Sequence, residues 1–228
     1  PPAALLGRAL EAWEPPEQAR IGRVTFEILR PVPLAPLGLS VRVVRPGRSV
    51  ELLEASLADA GGEVMRATAW RLRTQAVELD PPPLPVEPPP GPETGSQQPF
   101  FPTGAAVGYH TAMEYRFVRG AFLEAGPATV WMRMRHPLVA GEEPSPLTRA
   151  LVAADSGNGV SAALDYRRFV FINADLSVHL QRLPEGEWVC LEATTFAEPD
   201  GVGTSDVALY DERGRIGRAA QTLLIRER

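Results

Sequence analysis

The sequence predicts an α+β fold built twice, and three observations carry that prediction. First, Leu57, Asp59, Gly62, Val64, Arg66 and Ala67 fall in register, without a gap, on Leu209, Asp211, Gly214, Ile216, Arg218 and Ala219. Second, each half places a helix-like segment ahead of a run of strand-like segments. Third, Asp80 to Pro92 reads DPPPLPVEPPPGP, a run that neither a helix nor a sheet interior tolerates, so it reads as an extended linker between two halves. A helix followed by antiparallel strands, twice over, implies a sheet wrapped on a buried helix.

The first half opens with Pro1 and Pro2, which suit the first turn of a helix, and Leu5, Leu6, Ala9 and Leu10 share one face of it. Strand patterns follow at Val24 to Leu29, Leu39 to Val44, Val50 to Leu57 and Val64 to Leu72, with Asp59-Ala60-Gly61-Gly62 as the turn between the last two. In the second half, Tyr109 to Phe117 and Val130 to Arg135 read as strands. Ser145 then offers an N-cap and Pro146 a first helical position. Leu147, Ala150, Leu151 and Ala154 recur at helical spacing, with Val152 and Ala153 on the other face, so this helix should be buried. Asp155-Ser156-Gly157-Asn158-Gly159 ends it. The remaining strands are Phe169 to Asn173, Leu176 to Leu180, Glu187 to Thr195, Val207 to Tyr210 and Ile216 to Ile225, the first two readable as one bent strand.

The 228 residues are 44% apolar and 22% charged, ordinary values for a globular chain. A net charge of −5 argues against broad binding to nucleic acid or an anionic membrane, while leaving room for a local basic pocket. Cys190 is the single cysteine, so no intramolecular disulfide forms; its neighbours Trp188, Val189 and Leu191 mark it as a packing residue. No run of 18 apolar residues and no signal-like opening segment is present, and a cytoplasmic location is expected. The chain opens at Pro1 directly in a helix start, so the first strand of the fold is expected to be missing from it.

Long stretches of the second half carry a family resemblance: MEYRFVRGAF from Met113, WMRMRHPLVAG from Trp131, RALVAADSGNGV from Arg149, FINADLSVHLQR from Phe171 and LYDERGRIGRAAQTLL from Leu209. These resemble the thioesterase-like family related to acyl-CoA thioesterase II, and the duplicated plan resembles its double hotdog arrangement. The resemblance implies two repeats, each an antiparallel sheet wrapped around a long helix: an N-terminal hotdog over 1–79, a Pro-rich linker over 80–105 and a C-terminal hotdog over 106–228. It implies hydrolysis of a fatty acyl-CoA thioester by direct attack of water. In the family an Asp after the second long helix, a hydroxyl or amide residue opening a strand and a Gln on the last strand hold that water. They fall here on Asp155, Asn173 and Gln221; Asn173 stands where thioesterase II typically has Thr.

The residues themselves leave alternatives open. A carboxylate at a helix C-terminus opposes the dipole, so Asp155 is either a local turn former or a functional base. Asn173 could satisfy nearby backbone groups or hold a ligand. Gln221 lies in an apolar strand, Ala219-Ala220-Gln221-Thr222-Leu223-Leu224, and must find hydrogen bonds there. Its counterpart in the first half is Ala69, so the amide occurs in one copy only. Asn158 is a helix-end turn residue or a substrate contact. Asp175 reads as a weaker supporting candidate beside Asn173. His110, His136 and His179 lack metal-ligand spacing, and there is no Gly-x-Ser-x-Gly, no His-Glu-x-x-His and no paired Cys-x-x-Cys. Gly201-Val202-Gly203 reads as a hairpin loop. No metal or redox cofactor is implied, coenzyme A entering as part of the substrate. The expected partners are a small-molecule acyl-CoA and a second copy of the chain, and neither nucleic acid nor membrane. The alternative function is a hotdog protein that binds acyl-CoA or lipid without turnover.

Overall fold

The computed structural model describes residues 1–14, 18–81 and 86–228. Its first helix, α1 (Pro2–Ala12), begins with proline in the first turn, as the sequence predicts. Ala3, Ala4, Leu6, Gly7, Ala9 and Leu10 form its buried face, with Leu5 half-buried at the margin. Strands β1 (Ala19–Ile28), β2 (Gly38–Arg45), β3 (Val50–Asp59) and β4 (Gly62–Arg73) follow.

The second half departs from the predicted order at its start. Tyr109 opens not a strand but a single helical turn, α2 (Tyr109–Ala112), because Thr111 Oγ1 accepts the Gly108 N–H while the Thr111 N–H returns to the Gly108 carbonyl. The strand β5 (Met113–Arg119) starts four residues later and pairs with β6 (Ala128–Met134). Helix α3 (Pro146–Ala154) begins as expected: the Thr148 N–H donates to Ser145 Oγ at 3.1 Å, a cap worth about 1 kcal/mol. A second short turn, α4 (Gly157–Val160), replaces the simple helix end predicted at Gly157 to Gly159.

Strands β7 (Phe169–Asn173) and β8 (Asp175–Leu180) both pair with the last strand, so they are one bent strand interrupted at Ala174. Then come β9 (Val189–Ala197), β10 (Val202–Asp211) and β11 (Gly214–Glu227). Gly203 lies within β10, opposite Leu223, rather than in a loop; only Gly201, at φ +88°, occupies the turn.

Among the described residues, eleven strands join one sheet in the order β2-β3-β4-β1-β8-β11-β10-β9-β6-β5, with β7 also on β11. The halves meet where β1 pairs antiparallel with β8, from Arg23 opposite His179 to Glu27 opposite Asp175. Inside the curved sheet α1 packs on α3, and Leu6, Leu10, Leu147 and Leu151 are fully buried between them and the strands. Each such leucine contributes about 2 kcal/mol of apolar burial. The two repeats also share a polar clasp. In each, an arginine forks onto the aspartate of the repeated turn: Arg30 on Asp59 and on the Gly62 carbonyl, Arg182 on Asp211 and on the Gly214 carbonyl.

The proline-rich connection does not hang free. Trp131 Nε1 donates to the Pro90 carbonyl at 2.7 Å, and Ser96 bridges to Phe117 through both backbone bonds. Phe100 and Phe101 pack with Tyr115 and Phe122. Cys190 is fully buried beside Trp131, as its apolar neighbours predict.

Candidate functional site

Asp155 caps the C-terminal end of α3 in helical geometry, at φ −65° and ψ −11°. Apolar contact delivers it there, since every residue of α3 from Ala150 to Ala154 is buried. Gln221 arrives from the other side. Along β11 the odd positions Ala219, Gln221, Leu223 and Ile225 point inward by simple alternation, and Gln221 is 2% exposed.

The two meet through the main chain. Gln221 Oε1 accepts the Asn158 N–H at 3.0 Å, and Gln221 Nε2 donates to the Asp155 carbonyl at 3.4 Å. One side-chain amide thus spans the turn, from residue 155 to residue 158, that carries the Asp155 carboxylate. Gly157 makes the approach possible. A Cβ there would stand 2.6 Å from Val207 Cγ2 and 3.1 Å from both Gln221 Oε1 and Ser205 Oγ. Asn158 therefore contributes a backbone donor within α4, where the sequence predicts a helix-end turn or a side-chain contact.

Asn173 completes the group. It lies opposite Leu223 on β11, so it faces the same side of the sheet as Gln221, one pleat along. Its Nδ2 is buried and has no hydrogen-bond partner. The amide nevertheless lies near enough to the Asp155 carboxylate to favour its ionised form. Asp175 serves the backbone: its Oδ1 accepts the Thr222 N–H at 2.5 Å, beside the interruption at Ala174.

Burial is the largest influence on Asp155 and pushes its pKa up from the usual carboxylate value. The Asn173 amide pulls the other way without cancelling it. A quarter of the Asp155 side chain remains exposed, so solvent reaches the carboxylate although Gln221 behind it is sealed. A carboxylate of raised basicity, open on one side and flanked by amides, can accept a proton from water.

Three features escape the sequence reading. Tyr109, which burial keeps protonated, donates to the Val152 carbonyl at 2.8 Å and shares a 2.8 Å hydrogen bond with Ser156 Oγ, bracing the turn next to Asp155. Ser161 Oγ donates to the Gly157 carbonyl at 2.8 Å and pairs with Thr195 Oγ1 at 2.9 Å, anchoring α4 to β9. Ser205, fully buried, stands beside them with its hydroxyl unpartnered. His179 lies apart from this group, exposed on the outer face of the sheet between Arg23 and Arg218, whose charges add to burial in lowering its pKa. Among the described residues, no group of three His, Cys, Asp or Glu side chains is placed to hold a metal ion, and no helix is long and apolar enough to cross a membrane.

Comparison with known proteins bears on the whole chain. Residues 1–72 match the family described as the acyl-CoA thioesterase N-terminal domain, and residues 83–225 that described as the acyl-CoA thioesterase C-terminal domain. No curated protein matches. Among solved structures, a conserved protein of unknown function with a hot dog fold from Alicyclobacillus acidocaldarius is similar at a TM-score of 0.75 and 16% identity, over 99% of this chain and 85% of that one. A candidate thioesterase II from Thermobifida fusca gives 0.76 and 17%, over 98% and 84%. An acyl-CoA thioesterase II from Mycobacterium marinum gives 0.69 and 14%, over 99% and 86%. At such identities the likeness concerns the fold, which is the double hotdog.

Proposed function

The chain belongs to the acyl-CoA thioesterase family, and from that premise we propose that it hydrolyses a fatty acyl-CoA thioester at Asp155, Asn173 and Gln221. The observation that carries this reading is the Gln221 amide spanning residues 155 to 158 and presenting a carboxylate of raised pKa beside the Asn173 amide.

Water held at Asp155 and Asn173 attacks the thioester carbonyl carbon. Its proton passes to the Asp155 carboxylate as the new C–O bond forms. The carbonyl then re-forms, the C–S bond breaks, and the proton held by Asp155 goes to the departing sulfur. The products are a carboxylic acid and free coenzyme A, with no covalent enzyme intermediate. Burial serves the first step, because a more basic carboxylate is a better proton acceptor at neutral pH. Asn173 offers an N–H donor to the water oxygen while Asp155 takes the hydrogen, a division of labour that an amide and a carboxylate can perform together. Coenzyme A is a substrate portion here, not a resident group.

The test is release of free thiol from a panel of acyl-CoAs, short to long, by wild type and Asp155→Asn. Release that collapses in the variant supports the reading. A folded wild-type protein that releases none across the panel overturns it.

One observation favours a second reading, binding without turnover. Both ends of the Gln221 amide are already engaged by backbone groups of this chain. A stoichiometric rise in melting temperature with acyl-CoA, without thiol release, would select that reading.

A further inference from the structure

A row of polar side chains crosses the inner face of the sheet beneath α4. Thr195 on β9 is opposite Ser205 on β10, and Ser205 is opposite Gln221 on β11. All three are buried, at 8%, 0% and 2% exposure. The first repeat provides the internal control. The same three lattice positions there hold Val43 on β2, Leu53 on β3 and Ala69 on β4, with Val43 opposite Leu53 and Leu53 opposite Ala69. Leu53 and Ala69 are fully buried like Ser205 and Gln221, so the fold does not require polarity at those two positions, whereas Val43 is exposed at the sheet edge.

Within the polar copy the two ends are satisfied. Thr195 pairs with Ser161, and Gln221 holds the turn that carries Asp155. Ser205, between them, has its hydroxyl sealed from solvent and unpartnered. An unsatisfied buried hydroxyl costs about 1–3 kcal/mol relative to a satisfied or absent one. Alanine would fill this position without that cost, and the first repeat shows that an apolar residue fits the equivalent place.

We propose that Ser205 is a positioning residue that acts through Gln221, an assignment that rests on the thioesterase reading above. Gln221 Oε1 has two lone pairs and receives one hydrogen bond, from the Asn158 N–H. Ser205 is the opposed residue on the neighbouring strand, and its Oγ and Gln221 Oε1 converge on the same point above Gly157. In the free protein that bond is not made; with substrate bound, a turn of the Ser205 side chain lets the hydroxyl donate to the second lone pair. That bond pins the amide oxygen on the β10 side and leaves Nε2 directed at Asp155. The Nε2 bond to the Asp155 carbonyl is the long one of the pair, at 3.4 Å. When the thioester and water enter and that contact gives way, Ser205 keeps the amide from rotating with it.

The experiment is a double-mutant cycle. Ser205→Ala, Gln221→Ala and the double variant are purified in the full chain, and kcat and KM for thiol release are measured with the melting temperature of each. Ser205→Ala is expected to melt at or above the wild-type temperature, because it removes an unpartnered hydroxyl. Its kcat is expected to fall about tenfold or more with KM little changed, as for a catalytic group held out of place. In the Gln221→Ala background the same substitution is expected to change kcat less than twofold, since its target is gone. Wild-type turnover with an unimpaired Ser205→Ala overturns the assignment and leaves the thioesterase reading standing. So does a loss that is fully additive with Gln221→Ala, or one that follows a lowered melting temperature. An inactive wild type overturns both.

Discussion

Gly7 on α1 faces Leu151 on α3 so closely that a Cβ at residue 7 would lie 2.1 Å from Leu151 Cδ1. The two helices thus sit at backbone-to-side-chain distance inside the sheet. Gly7→Ala improves intrinsic helix propensity by roughly 0.5–1 kcal/mol but must displace a fully buried leucine. Overpacking of this kind costs about 1–3 kcal/mol, so a net loss of stability is expected in chemical denaturation. A variant as stable as wild type would show that Leu151 can repack freely.

Asp155→Asn should abolish most turnover while sparing the fold. Loss of a general base lowers rate by about 10²–10⁴-fold. Because the carboxylate is ionised at the expense of burial, its neutral isostere should melt at or above the wild-type temperature. A variant with wild-type thiol release would remove Asp155 from the mechanism.

The pH dependence follows from the same burial. The folded protein holds the Asp155 proton more tightly than the unfolded chain does, because the folded pKa is raised. Stability at this residue is greatest below the unfolded value of about 3.9 and declines as pH rises to the raised folded value, remaining level above it. Activity should run the opposite way, rising as the carboxylate ionises. Asp155→Asn should flatten the stability slope within that window, measurable by denaturation at several pH values.

Gln221→Glu separates hydrogen bonding from size. Glutamate retains an acceptor for the Asn158 N–H but, when ionised, cannot donate to the Asp155 carbonyl. Turnover should fall by tenfold or more with the Asp155 turn loosened, detectable as faster amide exchange over residues 155–158. Unchanged exchange and rate would deny Gln221 its spanning role.

The two Arg–Asp clasps should respond unequally. Asp211 is fully buried, whereas the Asp59 side chain keeps 21% of its surface. Burial alone would raise the Asp211 pKa, but the Arg182 fork and the N–H groups of Glu185 and Arg213 outweigh it and hold the pKa low. Its stabilisation is present above about pH 3.9 and is lost as pH falls through the depressed folded value. Asp211→Asn should cost roughly 2 kcal/mol or more by leaving a charged partner unmatched, and Asp59→Asn less. Equal losses would mean that exposure does not govern the clasp.

The repeat was legible because its turn residues answer to local geometry: Asp59 and Asp211 each cap their own turn, through Gly61 and Arg213 N–H groups. Their arginine partners answer to no local pattern. Arg30 and Arg182 stand at equal separations upstream, but only folding brings β1 and β8 beside the turns. Asp155, Gln221 and Asn173 were readable as single polar residues in apolar runs, together with the family resemblance. Ser205 was not, since it lies ahead of the strand expected at Val207 to Tyr210, and only the observed register places it opposite Gln221. The start of β5 departs from the expected Tyr109 because Thr111 closes a helical turn through its side chain within an otherwise strand-like run.

The β1–β8 seam bears on how the chain could be divided. Gln75 to Asp80 are exposed in the connection between the halves, while the ladder and the α1–α3 contact lie elsewhere. A protease that nicks those residues severs the covalent link and leaves the clasping surfaces whole. The two fragments should therefore stay together through size-exclusion chromatography, and fragments expressed separately should find each other. The molecule would then behave as a natural split protein, one fragment bearing the polar row and the other its apolar counterpart.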